Sequence, residues 1–283
     1  MTNKSEKLTL LCLLIFGNLA FAQTAGMDRL IIPLSDPARP VTLKAGLMNG
    51  GITVTGYAGK EVIVEAQVRA EEEEREHDKH KEKSKNKAQG MRRLEITATG
   101  LTVEEENNEV SISTSSMNRT IDLTIQVPLR ASLELSCLND GDIKVENLSG
   151  EFDLNNTNGG ITLINISGAV VAHALNEDVI VTFEKIDPEK SMSFTSLNGD
   201  IDVTFPAEVR AKMKLKSDNG EIYSDFDITL EPSTVKTEED GRKKGGKYRI
   251  QLEKTMVGII NGGGPEMQFA TFNGDIYIRR KKQ

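Results

Sequence analysis

Asn158-Gly159-Gly160-Ile161-Thr162-Leu163 is a stretch that the chain repeats in variant form. The variants share a tight turn directly before a β-branched apolar residue, and they begin at Asn49, Gly141, Asn198, Asn219 and Asn273. An Asn-Gly pair favours a turn with positive φ, because glycine lacks a Cβ and asparagine tolerates the left-handed region. Each turn opens a run of alternating apolar and polar residues, which is typical of a half-buried β-strand. The repeated stretch therefore predicts an all-β fold.

A second corner repeats in the same register as the first. Asn147-Leu148-Ser149-Gly150 recurs as Asn165-Ile166-Ser167-Gly168, and the offset of 18 residues contains no gap. Asn176 begins a unit that has lost its glycine, and Asn198 and Asn219 follow at offsets of 22 and 21 residues. Two turn signals that keep one register indicate a repeated structural unit.

Coils of about 18–22 residues, each with short strands, predict a β-solenoid. Successive coils would stack about 4.8 Å apart in parallel ladders. Repeated Ile, Val and Leu positions would line the inside, and the turn asparagines would form a hydrogen-bonded ladder at one corner. The alternative is an antiparallel β-sandwich with Asn-Gly hairpins. The coil-length offset and the repetition of both corners favour the solenoid.

Composition excludes several classes of function. The chain has 283 residues, a net charge of -8 and 37% hydrophobic residues. An acidic chain does not suit duplex nucleic acid, whose protein partners usually carry a basic face. The basic segment 279–282 is a local exception, which we interpret as a solvated end of the chain. We therefore expect no nucleic-acid partner.

Residues 1–22 have the pattern of a secretory signal peptide. Lys4 and Lys7 precede an apolar run, and Ala20-Phe21-Ala22 offers a small-x-small cleavage pattern. The pattern predicts export to the periplasm, the cell surface or the medium, and no other apolar run approaches the length of a transmembrane segment. Cleavage would remove Cys12 and leave Cys137 alone on the apolar side of a strand. We expect Cys137 to be a small buried side chain without a disulfide.

Two charged insertions interrupt the predicted domain of residues 23–283, near 70–92 and near 232–247. The first contains an acidic and then a basic run between 71 and 87, with no apolar stripe. Such a stretch predicts a projecting loop or a solvated helix. It contains His77 and His80 at a spacing that suits a metal on a helix, but no second pair flanks them. We assign no metal site there.

Carboxylates next to the repeated turns are the first candidates for catalysis. Asp142, Asp200, Asp202 and Asp275 would share one edge of a solenoid, and paired carboxylates can hydrolyse glycosidic bonds. However, Gly160 or Glu221 replaces the aspartate in other coils, so the row is broken. We interpret these aspartates as turn residues and keep a polysaccharide-active enzyme as the alternative.

Other chemistry has little support in the sequence. His173 alternates with apolar residues and is interpreted as a strand-face residue. No Gly-x-Ser-x-Gly elbow, phosphate loop or calcium-binding repeat is present in the sequence. Arg210, Lys212, Lys214 and Lys216 form a basic strip on the outer face of a strand, which we interpret as a solvated face.

The chain resembles the "putative adhesin" family of bacterial exported β-strand-repeat proteins. The signal peptide, the Asn-Gly-Asp/Gly-Ile turns and the Ser-Gly corners at Ser149-Gly150 and Ser167-Gly168 carry this resemblance, over roughly residues 41 to 280. The resemblance implies a β-solenoid-like body at the cell envelope and supplies no catalytic residue.

Together these observations predict a non-enzymatic exported protein that acts in adhesion, surface interaction or envelope scaffolding. We assign no catalytic, cofactor-binding or metal-binding residue and expect no cofactor. The expected partner is an envelope or surface protein or polymer. Aromatic residues make up 5% of the chain and tryptophan is absent from it, which favours a protein over a glycan.

Overall fold

A computed structural model describes residues 27–69, 99–115, 119–231, 236–237, 250–251 and 255–282. The regular secondary structure in these ranges is entirely β-strand. The segment 1–22, the first insertion with His77 and His80, and all of the second insertion except 236–237 lie outside the described residues. The predictions made for those segments stay predictions.

Each coil of the chain places one strand in each of two ladders. The first ladder holds, in spatial order, β5 (Leu101–Glu106), β6 (Glu109–Thr114), β2 (Val41–Asn49), β8 (Ala131–Asn139), β10 (Ser149–Asn156), the second half of β11 (Ile161–Ala174), β13 (Met192–Thr195), β21 (Glu266–Thr271), β15 (Ala211–Ser217), β20 (Met256–Ile260) and β17 (Thr229–Leu230).

The second ladder holds, in spatial order, β1 (Met27–Pro33), β4 (Glu61–Val68), β7 (Ile121–Pro128), β3 (Ile52–Tyr57), β9 (Ile143–Glu146), the first half of β11, β12 (Val179–Ile186), β14 (Ile201–Phe205), β22 (Ile276–Arg280) and β16 (Ile222–Ser224). A separate hairpin pairs β18 (Lys236–Thr237) with β19 (Ile250–Gln251). β11 belongs to both ladders and joins them. The twenty strands other than β18 and β19 therefore form one continuous sheet.

Parallel pairing runs through the middle of the stack, and antiparallel strands close its ends. In the middle, β3, β9, β11, β12, β14 and β22 pair in parallel, coil upon coil. The antiparallel pairs are β1–β4, β4–β7, β5–β6, β15–β20 and β17–β20. An end coil has an unpaired edge, and a hairpin or returning strand covers part of it. The predicted β-solenoid is thus confirmed, with antiparallel additions at its two ends.

The coils do not stack in chain order. The coil of β2 and β3 lies between the coil of β6 and β7 and the coil of β8 and β9. Similarly, the C-terminal coil of β21 and β22 lies between the coil of β13 and β14 and the coil of β15 and β16. The simple expectation that each coil rests on the preceding one is therefore wrong at both ends of the body.

The core lies between the two ladders and is built from the predicted alternation. At one register position the fully buried residues are Ile52, Ile143, Ile161, Val179, Ile201 and Ile276. Four phenylalanines pack together in the C-terminal half of the core. Phe183 and Phe205 stack with ring centroids 5.2 Å apart, and the ring centroid of Phe194 lies 4.9 Å from that of Phe269. Burial of each such side chain contributes about 1.5–3 kcal/mol.

At most of the Asn-Gly corners, glycine is needed because neighbouring coils approach closely, and not because φ is positive. Gly159, Gly199, Gly220 and Gly274 all lie outside the left-handed region. A Cβ on any of them would nevertheless come within 2.0–2.2 Å of a backbone atom in the neighbouring coil. Gly50, which follows Asn49, has a φ of 123°, so the positive φ predicted for an Asn-Gly turn is present there.

Candidate functional site

The repeated asparagines form a hydrogen-bonded ladder along one corner. Each side-chain amide nitrogen donates to the side-chain oxygen of the asparagine one coil earlier in the stack, over 2.7 to 3.2 Å. In spatial order the ladder is Asn49, Asn139, Asn158, Asn176, Asn198, Asn273 and Asn219. The predicted asparagine ladder is confirmed, and it follows the spatial order of the coils.

A polar side chain on the inner side closes several of these corners. Ser196 Oγ accepts the N–H of Gly199 at 2.9 Å and donates to the carbonyl of Glu177 at 3.0 Å. Asn156 and Ser217 make the equivalent pair of bonds in their own coils. These buried or half-buried polar groups therefore bind coil to coil, which compensates for their removal from water.

Cys137 pairs in register with Asn156 and takes the same inner position in its own coil. It is buried and unpaired, and burial raises the pKa of its thiol to about 12. This places the side chain where the sequence predicted it, among the apolar residues of the core. A thiol that stays protonated is a poor nucleophile.

The predicted acidic edge exists, and it has a structural role. Five aspartates each accept a backbone N–H from the next coil at 2.8 to 3.1 Å, namely Asp122, Asp142, Asp178, Asp200 and Asp275. The row thus contains three of the four predicted carboxylates. The fourth, Asp202, lies on the outer face of the second ladder, where Arg279 Nε donates to it at 2.7 Å. These carboxylates hold neighbouring coils together.

A polar cleft of about 670 Å³ lies at the N-terminal end of this edge. Arg69 donates to both oxygens of Asp122 and to the carbonyl of Asp140 at 2.7 Å. The hydrogen bond to Asp122 raises the pKa of the guanidinium. Asp142 pairs with Lys144 at 3.3 Å on the cleft wall. Two of the three carboxylates that line the cleft, Asp122 and Asp142, therefore each have a cation of their own, and the third is Asp140. The sequence reasoning had singled out neither Arg69 nor Asp122.

A row of apolar side chains runs beside the asparagine ladder. The residue before each ladder asparagine points outward, and in this row Met48, Leu138, Leu197 and Phe272 are exposed while Leu175 is half-buried. Thr157 and Asp218 interrupt the row. We call Met48, Leu138, Leu175, Leu197 and Phe272 the apolar row.

Two tyrosines stack at the C-terminal end of the second ladder. The rings of Tyr223 and Tyr277 lie 5.2 Å apart and nearly parallel, and Tyr223 is 51% exposed. Tyr277 donates its hydroxyl to Asp275 at 3.0 Å, which raises the pKa of the phenol. Sequence reasoning missed this pair, although the spacing Asn-Gly-acid-Ile-Tyr occurs at both Asn219 and Asn273.

The remaining sequence candidates lie on outer faces. His173 is exposed, with Nδ1 2.7 Å from Thr195 Oγ1. In the basic strip, Lys212 lies 3.5 Å from Glu231 and Lys216 lies 3.1 Å from Asp218. Within the described ranges, no three His, Cys, Asp or Glu side chains come close enough to hold a metal ion.

The basic segment 279–282 is not simply a solvated end. Arg279 and Arg280 belong to strand β22. Arg279 binds Asp202, Arg280 lies 4.8 Å above the ring of Phe226, and Lys281 donates to Glu184. The segment is therefore held by contacts within the protein.

Residues 137–258 match the family model described as Toastrack DUF4097, a β-solenoid-like fold, which confirms the family resemblance predicted from the repeats. A "putative cell adhesion protein" from Clostridium sporogenes ATCC 15579 is similar in structure, with 13% identity, 90% of this chain and 100% of that chain covered, and a TM-score of 0.47. A "putative adhesin" from Bacteroides fragilis NCTC 9343 has 9% identity, 91% and 98% coverage, and a TM-score of 0.26. No curated protein matches the sequence. A search of the described residues for a helix long and apolar enough to cross a membrane finds none.

Proposed function

We propose that this protein, whose residues 137–258 match the Toastrack family model, is a non-enzymatic exported β-repeat protein. It acts in adhesion, surface interaction or envelope scaffolding, and residues 23–283 form one domain. The observation that carries this proposal is the use of the acidic edge. Asp142, Asp200 and Asp275 each accept a backbone N–H from the next coil, so the residues best suited to chemistry hold the stack together.

The polar cleft supports the same conclusion. Glycoside hydrolysis needs one carboxylic acid to give a proton and a second carboxylate to act as base or nucleophile. In the cleft, Asp122 is held by Arg69 and accepts the N–H of Gly51, while Asp142 is paired with Lys144. Both oxygens of Asp122 and both oxygens of Asp142 therefore already have a partner within the protein, which does not suit a carboxylate that must act on a substrate.

The apolar row is the surface we assign to the interaction. It presents one apolar side chain from each of five coils, and coils are spaced by about 4.8 Å through strand pairing. The coil of Thr157 separates Leu138 from Leu175. Leu197 and Phe272 belong to neighbouring coils and are 41% and 47% exposed. A row of apolar groups beside a row of amides suits a protein surface or an extended polymer of the cell envelope.

The test compares mature protein 23–283 with surface variants on arrays of envelope fractions, polysaccharides and matrix proteins. The double variant Leu197→Ser and Phe272→Ser should lose most of the retention. A matched control, Val171→Ser with Ile180→Ser, removes residues that are 46% and 41% exposed on the ladder faces, and it should keep the retention.

Two outcomes contradict the proposal. One is an absence of retention of the wild-type protein on every surface. The other is release of reducing ends from an arrayed polysaccharide, abolished by Asp142→Asn, which would favour the alternative of a polysaccharide-active enzyme. Export is tested separately, by locating the protein in cell fractions with and without residues 1–22.

A further inference from the structure

Strand β16 (Ile222–Ser224) has one edge on which no other strand of the described ranges lies. Its residues pair in parallel with β22, where Ile276 donates its N–H to the carbonyl of Glu221 and Asp225 donates to the carbonyl of Ile278. This register turns the backbone groups of Ile222 and Ser224 to the other side. In the described part of the chain, no strand pairs with that side.

Three ladders of side chains end at this edge. The Asn219 amide donates to Asn273, and its oxygen receives no donor among the described residues. The N–H of Glu221 donates to Asp275, while the carboxylate of Glu221 has no partner among them. Tyr223 stacks one ring face on Tyr277 and exposes the other.

The protein itself shows what fits above such groups. One level below, Asn219, Glu221 and Tyr223 themselves fill the equivalent groups of the neighbouring coil. They place an amide on Asn273, a backbone N–H on Asp275 and a ring on Tyr277. Stacked coils repeat this geometry throughout the asparagine ladder and the acidic edge. A further strand in the same register would meet four complementary features: two free acceptors, one ring face and a row of backbone groups.

We propose that the edge of β16 binds an extended segment of a partner protein as an additional parallel strand. The segment carries a side-chain amide at one position and a planar side chain four residues later. This inference rests on the proposed interaction function and specifies a polypeptide partner at a second surface. Main-chain hydrogen bonds supply affinity in such strand addition, and side chains at alternate positions supply specificity.

At the opposite end of the stack, the described residues make different contacts. There the carboxylate of Asp28 accepts the N–H and hydroxyl of Thr99, which ties β1 to the start of β5. Ser35 donates its N–H and hydroxyl to Glu105, which fastens the segment after β1 over the same end. Among the described residues, the last acceptors of the asparagine ladder and of the acidic edge, on Asn219 and Glu221, are therefore left without a donor.

The experiment uses the full mature chain and a fluorescent synthetic peptide with the sequence of residues 271–280, which contains the strand that already complements β16 from below. Anisotropy should show saturable binding. A control peptide with alanine in place of its asparagine and tyrosine keeps the same charge and should bind about fivefold or more weakly.

Protein variants locate the site. Tyr223→Ala removes the ring face and should weaken binding about tenfold. Ser224→Pro removes one outward N–H and should nearly abolish binding. Leu30→Ala on β1, at the opposite end, should leave binding unchanged. Far-UV circular dichroism checks that each variant folds.

The outcomes distinguish failure of this inference from failure of the proposed function. Absence of saturable binding, or binding that is the same in Ser224→Pro and wild type, overturns the inference, since a peptide that replaces β22 inside the stack would not need the free edge. If the protein is still retained on the arrays, the proposed function survives that failure. Peptide binding without array retention overturns the proposed function alone.

Discussion

Two adjacent glycines at one corner provide a sharp test of how the coils pack. A Cβ on Gly159 would lie 2.1 Å from the carbonyl oxygen of Gly141 in the neighbouring coil. A Cβ on Gly160 would lie 3.4 Å from the nearest atom, the carbonyl oxygen of Asp178, which is an ordinary contact. The substitutions Gly159→Ala and Gly160→Ala therefore make the same chemical change one residue apart, with very different steric results.

The expected magnitude for Gly159→Ala follows from the bonds at that corner. The two coils must separate locally by roughly 1 Å to remove the backbone overlap. This stretches the bond from Asn156 to the carbonyl of Gly141, now 3.0 Å, and the bond from Asn158 to Asn139, now 2.7 Å. Each lost hydrogen bond destabilises the protein by about 1 kcal/mol, and with residual strain we expect a total of about 3 kcal/mol.

Gly160→Ala should leave stability unchanged or raise it by about 0.4–1 kcal/mol. Its backbone φ lies outside the left-handed region, and alanine reduces the conformational freedom of the unfolded chain. Aspartate or glutamate follows the glycine at equivalent positions, such as Asp200 and Glu221, which agrees with open space there.

The assay is urea-induced unfolding of mature protein 23–283, followed by far-UV circular dichroism. With a slope of about 3 kcal/mol per M, Gly159→Ala should lower the unfolding midpoint by about 1 M. Equal midpoints for the two variants would refute the conclusion that close approach between coils requires the glycine at position 159.

Three further predictions concern the ladder, the thiol and the core. Asn176→Ala removes the bonds to Asn158 and Asn198, and because the ladder is exposed we expect a loss of about 1–2 kcal/mol in urea unfolding; a loss below 0.3 kcal/mol would mean that the ladder adds nothing. The pKa of Cys137 is raised to about 12 from 9.0, so the folded state is favoured below pH 9 and loses stability as the pH rises from 9 to 12. Accordingly, iodoacetamide should modify the native thiol at pH 9 far more slowly than the urea-unfolded thiol, and equal rates would contradict its burial. Phe194→Ala should lower the free energy of unfolding by about 3–5 kcal/mol, and a loss below 1 kcal/mol would contradict close packing of the four phenylalanines.

The repeated spacing made part of the structure predictable. A residue that recurs once per coil must stack on its equivalent, so Asn158, Asn176 and Asn198 had to line up once the coil length was known. The buried alternation followed for the same reason, because side chains on a strand alternate between its two faces. These features depend only on period.

The order of the coils does not depend on period, and it was not predictable. Met192, Met267 and Met213 occupy one register position in three coils, and Ile201, Ile276 and Ile222 occupy another. Because these register positions hold the same residue type in each coil, the apolar pattern alone does not distinguish one order of the coils from another.

The sequence indicated that the acidic edge is not catalytic, but it did not predict the bonds that these carboxylates make. The exchange of Asp200, Gly160 and Glu221 at one position spoke against catalysis. The bonds from each carboxylate to the next coil join residues up to 75 positions apart, such as Asp275 and Asp200. Arg69 gave no local signal of its contact with Asp122, because the two residues lie 53 positions apart and the first insertion falls between them.

The position of the coil of β21 and β22 in the stack constrains the order in which the coils can assemble. The coil of β15 and β16 emerges from the ribosome well before β21 and β22, yet it rests on them in the finished stack. Until β22 is synthesised, β14 lacks the strand that pairs with it in the finished stack, and β16 carries Ile222 at the register position that Ile276 will share. The native stack therefore forms only after β21 and β22 are made, and a chain truncated before residue 266 would lack the coil on which β15 and β16 rest.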